Sequence, residues 1–135
     1  MMNLLELLYK QYKQLRDYIV VQWDEQNSIP LSNSEWNCLH AIVEGAKSVP
    51  SIMQRNEITK QAAHKVIKSL EEKEMVHTSL VKAPKLQRQI ELTDFGRLIY
   101  AKSLEVHLQT EKHLRVVLGD EEYEQLIRTL NKKWL

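Results

Sequence analysis

Turn-forming residues are scarce in this chain of 135 residues, which has only three glycines and three prolines. So few turn formers indicate a mostly helical protein with short connections. The single cysteine, Cys38, excludes an internal disulfide framework and is typical of a reducing compartment. No apolar run approaches the roughly 18–20 residues that a membrane-spanning helix needs. The apolar N-terminus is interrupted by charges and lacks a small-residue cleavage site, so we expect a cytoplasmic protein without a membrane partner.

The charges of the chain are unevenly placed, although its net charge is only +1. Ten basic and six acidic residues lie between Lys47 and Arg97, which gives this stretch a net charge of +4. The rest of the chain has nine basic and twelve acidic residues and a net charge of −3. A basic middle therefore lies between two acidic ends.

The first helix is predicted from about residue 3 to residue 26, a stretch without glycine or proline. Its apolar residues Leu5, Leu8, Tyr12 and Leu15 follow the alternating spacing of three and four that is typical of a coiled-coil seam. A helix this apolar near its start must pack on its own domain, on a partner, or on both.

Three short helices are predicted next, each with a polar capping residue at its start. Ser32 and Glu35 have the spacing of a capping box at the start of the second helix. Ser48 is a candidate cap for the third helix, and Thr59 for a fourth helix that runs to about Lys73. The short joint between the last two helices has the length of the turn in a helix-turn-helix motif.

The fourth helix has an apolar stripe at i, i+3, i+4 and i+7, formed by Ala63, Val66, Ile67 and Leu70. Gln61, Lys65 and Lys68 point to the opposite side, and His64 flanks them. Such a charged stripe is usually a solvated face. Here it follows a tight turn and precedes a basic hairpin, which favours contact with DNA.

Beyond the fourth helix the apolar period changes from helical to alternating. Residues 75–81 and 86–92 are predicted to form two strands, joined by a turn that contains Pro84. A long helix is then predicted from Asp94 to Leu118, and a last helix after Gly119.

The predicted fold class is mainly α with a small β-hairpin wing, an α+β winged helix-turn-helix core with terminal helices. We place an N-terminal helix in residues 1–30, the winged helix-turn-helix in residues 31–96 and two C-terminal helices in residues 97–135. Together they form one continuous domain of a size that supports a real core.

The terminal helices have more apolar surface than a single small domain uses. The long helix is predicted to have its apolar side at Leu98, Ala101, Leu104 and Leu108. We therefore expect the chain ends to build a homodimer, with contacts at Leu5, Leu8, Tyr12, Leu15, Leu126, Leu130 and Trp134.

Three segments of the sequence resemble the MarR family of bacterial transcriptional regulators, the multiple-antibiotic-resistance regulators. "LSNSEWNCLHAI" resembles the start of the family's second helix, and "ITKQAAHKVIKSLEEKEMV" resembles its recognition helix. "IELTDFG" resembles the Leu-Thr-x-x-Gly signature that follows the wing. The resemblance is detailed from Leu31 to Gly96 and extends over the whole chain in architecture.

Three positions depart from the family's pattern. Glu74 stands where the family usually has glycine, and Asn56 stands where an apolar residue of the third helix is expected. The family's Asp-x-Arg wing motif falls on Pro84-Lys85-Leu86, so the arginine that such wings often insert into the minor groove is absent there. Lys85 and Arg88 are the candidate substitutes.

The resemblance implies a homodimeric regulator, a repressor whose operator binding is modulated by a small-molecule effector. Gln61, His64 and Lys65 are the candidates for base edges, and Thr59 with the helix N-terminus is the candidate for a phosphate. The remaining cations are candidates for phosphate contacts: Lys60, Lys68, Lys82, Lys85 and Arg88. Tyr18, Trp23 and Trp36 are candidates for an effector pocket, although plain core packing explains these aromatic residues equally well.

Other functions remain open at the level of sequence. The missing wing arginine and modest net charge suggest a winged-helix module for protein–protein interaction or assembly as the alternative. No phosphate loop, nucleophile motif or pair of catalytic carboxylates is present, so we expect no enzyme, no catalytic residue and no cofactor. An enzyme would need a deep pocket that holds perturbed carboxylates.

Two further groups of residues allow both a functional and a structural interpretation. Cys38 can be a redox sensor, but its place in a short core helix favours a buried, inert thiol. His107, Glu111 and His113 have the spacing of a possible metal site on one helix, but spacing alone is a weak signal, so no metal is expected.

Overall fold

The computed structural model describes residues 1–82 and 84–135. These residues form six helices and a two-stranded antiparallel hairpin, which confirms the predicted fold class. The elements are α1 (Leu4–Gln26), α2 (Asn33–Val43), α3 (Val49–Asn56), α4 (Lys60–Glu72), β1 (Val76–Val81), β2 (Gln87–Leu92), α5 (Asp94–Leu118) and α6 (Asp120–Asn131). Within the described part of the chain, no helix combines the length and hydrophobicity required to cross a membrane.

The short helices begin at the predicted capping residues. The Glu35 backbone N–H donates to Ser32 Oγ at 3.1 Å, and the Ser32 N–H donates to the Glu35 carboxylate at 2.9 Å. Thr59 Oγ1 accepts the backbone N–H of Ala62 in the same way at 3.1 Å. Each contact satisfies a donor that the first helical turn leaves without a partner, so the helix starts are fixed locally.

The core lies between α2, α3, α4, α5 and the inner end of the hairpin. Leu39, Ile52 and Leu70 are fully buried where the three short helices meet, and Met75 and Ile90 close this core from the hairpin side. The three short helices therefore form a helix-turn-helix whose packing is complete within the protomer.

The hairpin, which we call the wing, packs on the body mainly at its inner end. The pairing runs from Val76 opposite Leu92 to Val81 opposite Gln87. Val76 and Leu92 are buried, whereas the outer half of both strands is exposed. The Ile90 N–H also donates to the Lys47 carbonyl oxygen at 2.8 Å, which ties the wing to the loop between α2 and α3.

The turn between α4 and the wing is a Schellman motif with a glutamate at the glycine position. Glu74 has a left-handed backbone with φ of 60°. Its N–H donates to the Glu71 carbonyl at 2.9 Å, and the N–H of Met75 donates to the Leu70 carbonyl at 2.9 Å. The turn therefore has the geometry that a glycine would adopt, although glutamate is strained in it.

The start of α5 is pressed against this same turn. Thr93 Oγ1 donates to the Glu74 carbonyl oxygen at 2.6 Å and accepts the Gly96 N–H at 2.9 Å. A Cβ atom at Gly96 would lie 1.9 Å from the Met75 carbonyl oxygen, so only glycine fits. The "LTDFG" segment thus holds the start of α5 against the turn that connects α4 to the wing.

The predicted apolar side of α5 is not the side that the protomer buries. Leu98, Leu104 and Leu108 are exposed. The buried residues of this helix are Gly96, Ile99, Tyr100, Ser103, Val106 and Thr110. Small and polar residues face the protomer instead, where the hydroxyls of Ser103 and Thr110 donate to carbonyls of the preceding turn. The leucines are left on a second face.

We predict that Glu74→Gly stabilises the protein by about 0.5–1 kcal/mol, because relief of the left-handed strain exceeds the entropy that glycine adds to the unfolded chain. The same replacement at Lys68, an exposed position inside α4, should instead destabilise by about 1 kcal/mol. Denaturant unfolding of both variants checks this difference. A destabilised Glu74→Gly variant would show that the side chain contributes more than its strain costs.

Candidate nucleic-acid interface

One side of α4 is buried and the other is entirely polar or small. The apolar stripe is buried as predicted. We call the exposed set on and just before this helix the reading face; it comprises Thr59, Lys60, Gln61, Ala62, His64, Lys65 and Lys68. All residues on and just before α4 that were predicted to contact DNA therefore lie together on one accessible surface.

The N-terminal end of α4 is open to an anion. Thr59 Oγ1 occupies the N–H of Ala62, and the first turn contains no acidic residue. The positive end of the helix dipole is therefore not neutralised from within the helix. Free backbone N–H groups and this partial charge together suit a phosphate oxygen.

The wing adds positive charge beside the reading face. Lys82, Lys85 and Arg88 are exposed, and the sequence from His77 to Ile90 contains no acidic residue. In the described residues, ion pairs are absent for these three cations and for the three lysines of the reading face: Lys60, Lys65 and Lys68. The six cations therefore lie in two stretches without acidic residues, 58–70 along α4 and 77–90 along the wing, that can each face a polyanion.

A buried ion pair that the sequence did not reveal fixes α4 from behind. The Lys73 Nζ lies 2.7 Å from Glu35 Oε2 and also donates to the Pro30 carbonyl at 2.8 Å. The Ser69 hydroxyl donates to the same carboxylate at 2.9 Å. Burial acts to raise the pKa of Glu35, but hydrogen bonds from Lys73, the Ser32 backbone and Ser69 outweigh it and lower that pKa. Glu35 is therefore a charged anchor between α2 and α4.

The three predicted pocket residues occupy different environments. Trp23 is only 2% exposed and donates its indole N–H to the Ile29 carbonyl at 2.7 Å, so it is part of the core. Trp36 and Trp23 line a narrow cleft between α1, α2 and α5, whereas Tyr18 stacks on His113 outside it. The cleft has a volume of ≈ 20 Å³, room for about one water molecule.

Four aromatic rings join α2 to α5 beside this cleft. We call them the aromatic ladder: Trp36, His40, Tyr100 and His107. The Trp36 ring centroid lies 4.9 Å from that of His40 and 4.3 Å from that of His107. His40 Nδ1 lies 2.7 Å from the Tyr100 hydroxyl, and the Trp36 indole donates to Ser103 Oγ at 2.9 Å. Trp36 and His40 are spaced i, i+4 and Tyr100 and His107 i, i+7, which places each pair on one face of its helix. The sequence prediction did not include this ladder.

Cys38, His107 and His113, for which the sequence allowed a redox or metal-binding role, all pack against neighbouring side chains. Cys38 is fully buried, and burial, followed by the charge of Glu35, raises the pKa of its thiol to about 12. It is therefore protonated and shielded at neutral pH, as expected of an inert thiol. His107 stacks on Trp36 and His113 on Tyr18. Across residues 1–82 and 84–135, no three metal-ligating side chains come together.

The predicted dimerisation residues are all exposed in the protomer. They lie at the free end of α1 and along α6 and the chain end: Leu5, Leu8, Tyr12, Leu15, Leu126, Leu130 and Trp134. The α5 leucines, which the protomer also leaves exposed, add to this apolar surface. Exposed apolar surface of this extent marks an interaction site.

We predict that Lys73→Met destabilises the protein by about 3 kcal/mol at neutral pH, because it leaves the Glu35 carboxylate buried without its cation. The loss should shrink as the pH falls below the ordinary Glu value of 4.5, since the lowered pKa stabilises the fold only while Glu35 is ionised. Lys68→Met, on the same helix but exposed, should change stability by less than about 0.5 kcal/mol. Equal effects of the two substitutions in denaturant unfolding would contradict an anchoring role.

No protein-family model and no curated protein matches this sequence. Solved structures do match it. The reduced form of MarR from E. coli superposes with a TM-score of 0.85 at 16% identity, covering 96% of this chain and 95% of that one. A MarR family protein of Mycobacterium tuberculosis in complex with DNA gives a TM-score of 0.73 at 19% identity, covering 96% of both chains.

A third match is the Bordetella bronchiseptica protein BpsR, whose DNA binding is regulated by 6-hydroxynicotinic acid. Its TM-score is 0.75 at 16% identity, and the match covers 95% of this chain and 91% of that one. Sequence identities this low establish a shared fold. The chain has the winged helix-turn-helix fold of the MarR family of transcriptional regulators, the family that its sequence motifs resemble.

Proposed function

We propose that this protein is a DNA-binding transcriptional regulator that acts as a homodimer. The observation that carries the proposal is the set of six exposed cations on the reading face and the wing, which have no ion-pair partner among the described residues. An extended run of phosphates is the natural partner of such a surface, and the solved structures of similar fold include one bound to DNA.

In the proposed complex, α4 lies in the major groove. Gln61, His64 and Lys65 reach base edges, and the N-terminus of α4 with Thr59 binds a phosphate. The other cations position the protein on the backbone without specifying sequence: Lys60, Lys68, Lys82, Lys85 and Arg88. Ala62 is small enough to permit close approach or to touch a thymine methyl group.

The homodimer is proposed from the apolar residues that the protomer leaves exposed on α1, α5 and α6. A second copy covers this surface without requiring any other partner. Two heads related by a two-fold axis would then engage a pseudo-palindromic site with half-sites about one helical turn apart. The terminal helices would set the distance between the two α4 helices.

Regulation by a small molecule is the finer part of the proposal, together with a role as a repressor. Two of the structures of similar fold concern small ligands, salicylic acid and 6-hydroxynicotinic acid. The candidate place is the cleft beside Trp36, between α1, α2 and α5. A ligand that widens this cleft would alter the spacing of the two heads, and only one spacing engages both grooves.

The alternative is a winged-helix module for protein–protein interaction. The observation that favours it is the wing without an arginine at the Asp-x-Arg position, where Pro84-Lys85-Leu86 stands. The two functions differ in the salt dependence of DNA binding. A regulator should show a logarithmic salt slope of about −0.9 for each phosphate neutralised, whereas the module should bind no DNA at low salt.

The test is selection of bound duplexes from a random pool, followed by affinity measurements on the selected site and on unrelated DNA. We expect Lys65→Ala to weaken binding to the selected site by about 1–2 kcal/mol more than binding to unrelated DNA. Lys68→Ala removes the same charge from the same helix but should weaken both about equally. Equal losses with both variants would make Lys65 a phosphate contact, and failure of the wild type to select any site would refute the regulator.

The dimer has its own test. Leu8→Asp places a charge in the proposed seam and should shift the mass in sedimentation equilibrium to that of the 15.9 kDa protomer. Leu80→Asp is the matched control, because Leu80 is also exposed but lies on the wing. A dimer that survives Leu8→Asp would show that this seam faces elsewhere.

A further inference from the structure

The outer end of the wing exposes two large apolar side chains. Leu80 is 66% exposed and Leu86 is 64% exposed. They stand among Lys82, Lys85 and Arg88 in a stretch without any acidic residue. Leucines displayed beside cations suit a partner that is negatively charged and also offers an apolar surface.

The pairing of the strands shows how this end is built. Leu80 is directly opposite Arg88 in the ladder, so their side chains share one face of the hairpin. Two positions further in, Thr78 faces the buried Ile90 on the same side. The face of the hairpin that packs on the core at Ile90 therefore continues outward to the exposed side chains of Leu80 and Arg88.

The wing is joined to α4 by a short, hydrogen-bonded turn. The Schellman turn at Glu74, its bond from Thr93 and the burial of Met75 connect the last turn of α4 to the first residue of β1. A strand of six residues is about 20 Å long. Half a helical turn of B-DNA measures about 17 Å along the axis, so a wing of this length can reach from a major groove that holds α4 to the neighbouring minor groove.

We propose that Leu86 and Leu80 contact the walls of the DNA minor groove and make this wing a reader of DNA deformability. This inference rests on the proposed function, since it requires α4 in the adjacent major groove. The minor groove is about 6 Å wide, its sugar walls are apolar, and apolar wedges are a known means of opening base steps there. Lys82, Lys85 and Arg88 would neutralise the phosphates at either side.

A leucine reads no hydrogen-bond pattern, so the preference it produces must come from the energy of deforming the DNA. Pyrimidine–purine steps open more easily than others. The wing should therefore favour a TA or CA step at its contact site. By contrast, an arginine at position 86 would favour the narrow, strongly negative minor groove of an A-tract.

The experiment compares duplexes from the selected site that differ only in the base step below the wing. The wild type should prefer TA over AA at that step by about fivefold, and Leu86→Ala should reduce this ratio to below about twofold without changing the salt slope. Lys85→Ala, the adjacent exposed residue, should instead weaken both duplexes alike and reduce the slope by about 0.9. Leu86→Arg should raise the slope by about the same amount and reverse the preference toward A-tracts.

Two outcomes would overturn the inference, and they are distinguishable. If Leu86→Ala and the double variant with Leu80→Ala retain the wild-type ratio while Lys65→Ala still loses affinity, the leucines do not touch DNA and only this inference fails. If the wild type binds no duplex at low salt, the proposed function fails with it. Because Leu86 is exposed, unfolding free energies should stay within about 0.5 kcal/mol of the wild type, so any loss of the ratio reflects binding.

Discussion

The buried ion pair between Glu35 and Lys73 is the contact on which the reading face depends. It joins the N-terminus of α2 to the last turn of α4, and Ser69 adds a second bond from α4 to the same carboxylate. The Glu35 side chain is only 7% exposed, so the loss of Lys73 would leave a buried carboxylate without its cation. Lys73 therefore stabilises the position of α4. The lysines on the outer side of α4 have no carboxylate partner among the described residues.

A second constraint extends this rigidity to the wing and to α5. The turn at Glu74 is held by its own backbone bonds, by the Thr93 hydroxyl and by the close approach of Gly96 to the Met75 carbonyl. Close packing at this point leaves α5 little room to shift independently of the wing and α4. The two parts of the proposed DNA surface are positioned by one joint, which explains why a strained glutamate is tolerated there.

The sequence predicted what depends on near neighbours and missed what depends on distant ones. Helix starts, the buried stripe of α4 and both strands follow from local patterns and were confirmed. The Glu35–Lys73 pair was missed because "EEKE" appears locally as a solvated run, and its partner lies 38 residues away. The buried face of α5 was not predicted, because Ser103 and Thr110 are buried by helix packing, which hydropathy alone does not register.

The two faces of α5 connect the chain ends to the winged helix-turn-helix. One face contributes Tyr100, Ser103 and His107 to the aromatic ladder and its hydrogen bonds with α2. The other displays leucines to the outside, and α6, which follows, exposes Leu126 and Leu130 as well. Rings stacked at 4–5 Å and a 2.9 Å hydrogen bond permit little sliding of α2 along α5. In the proposed homodimer, a change in the contacts along α5 would therefore reorient the winged helix-turn-helix as a body, because bending at the ladder would break both the stacking and the hydrogen bond.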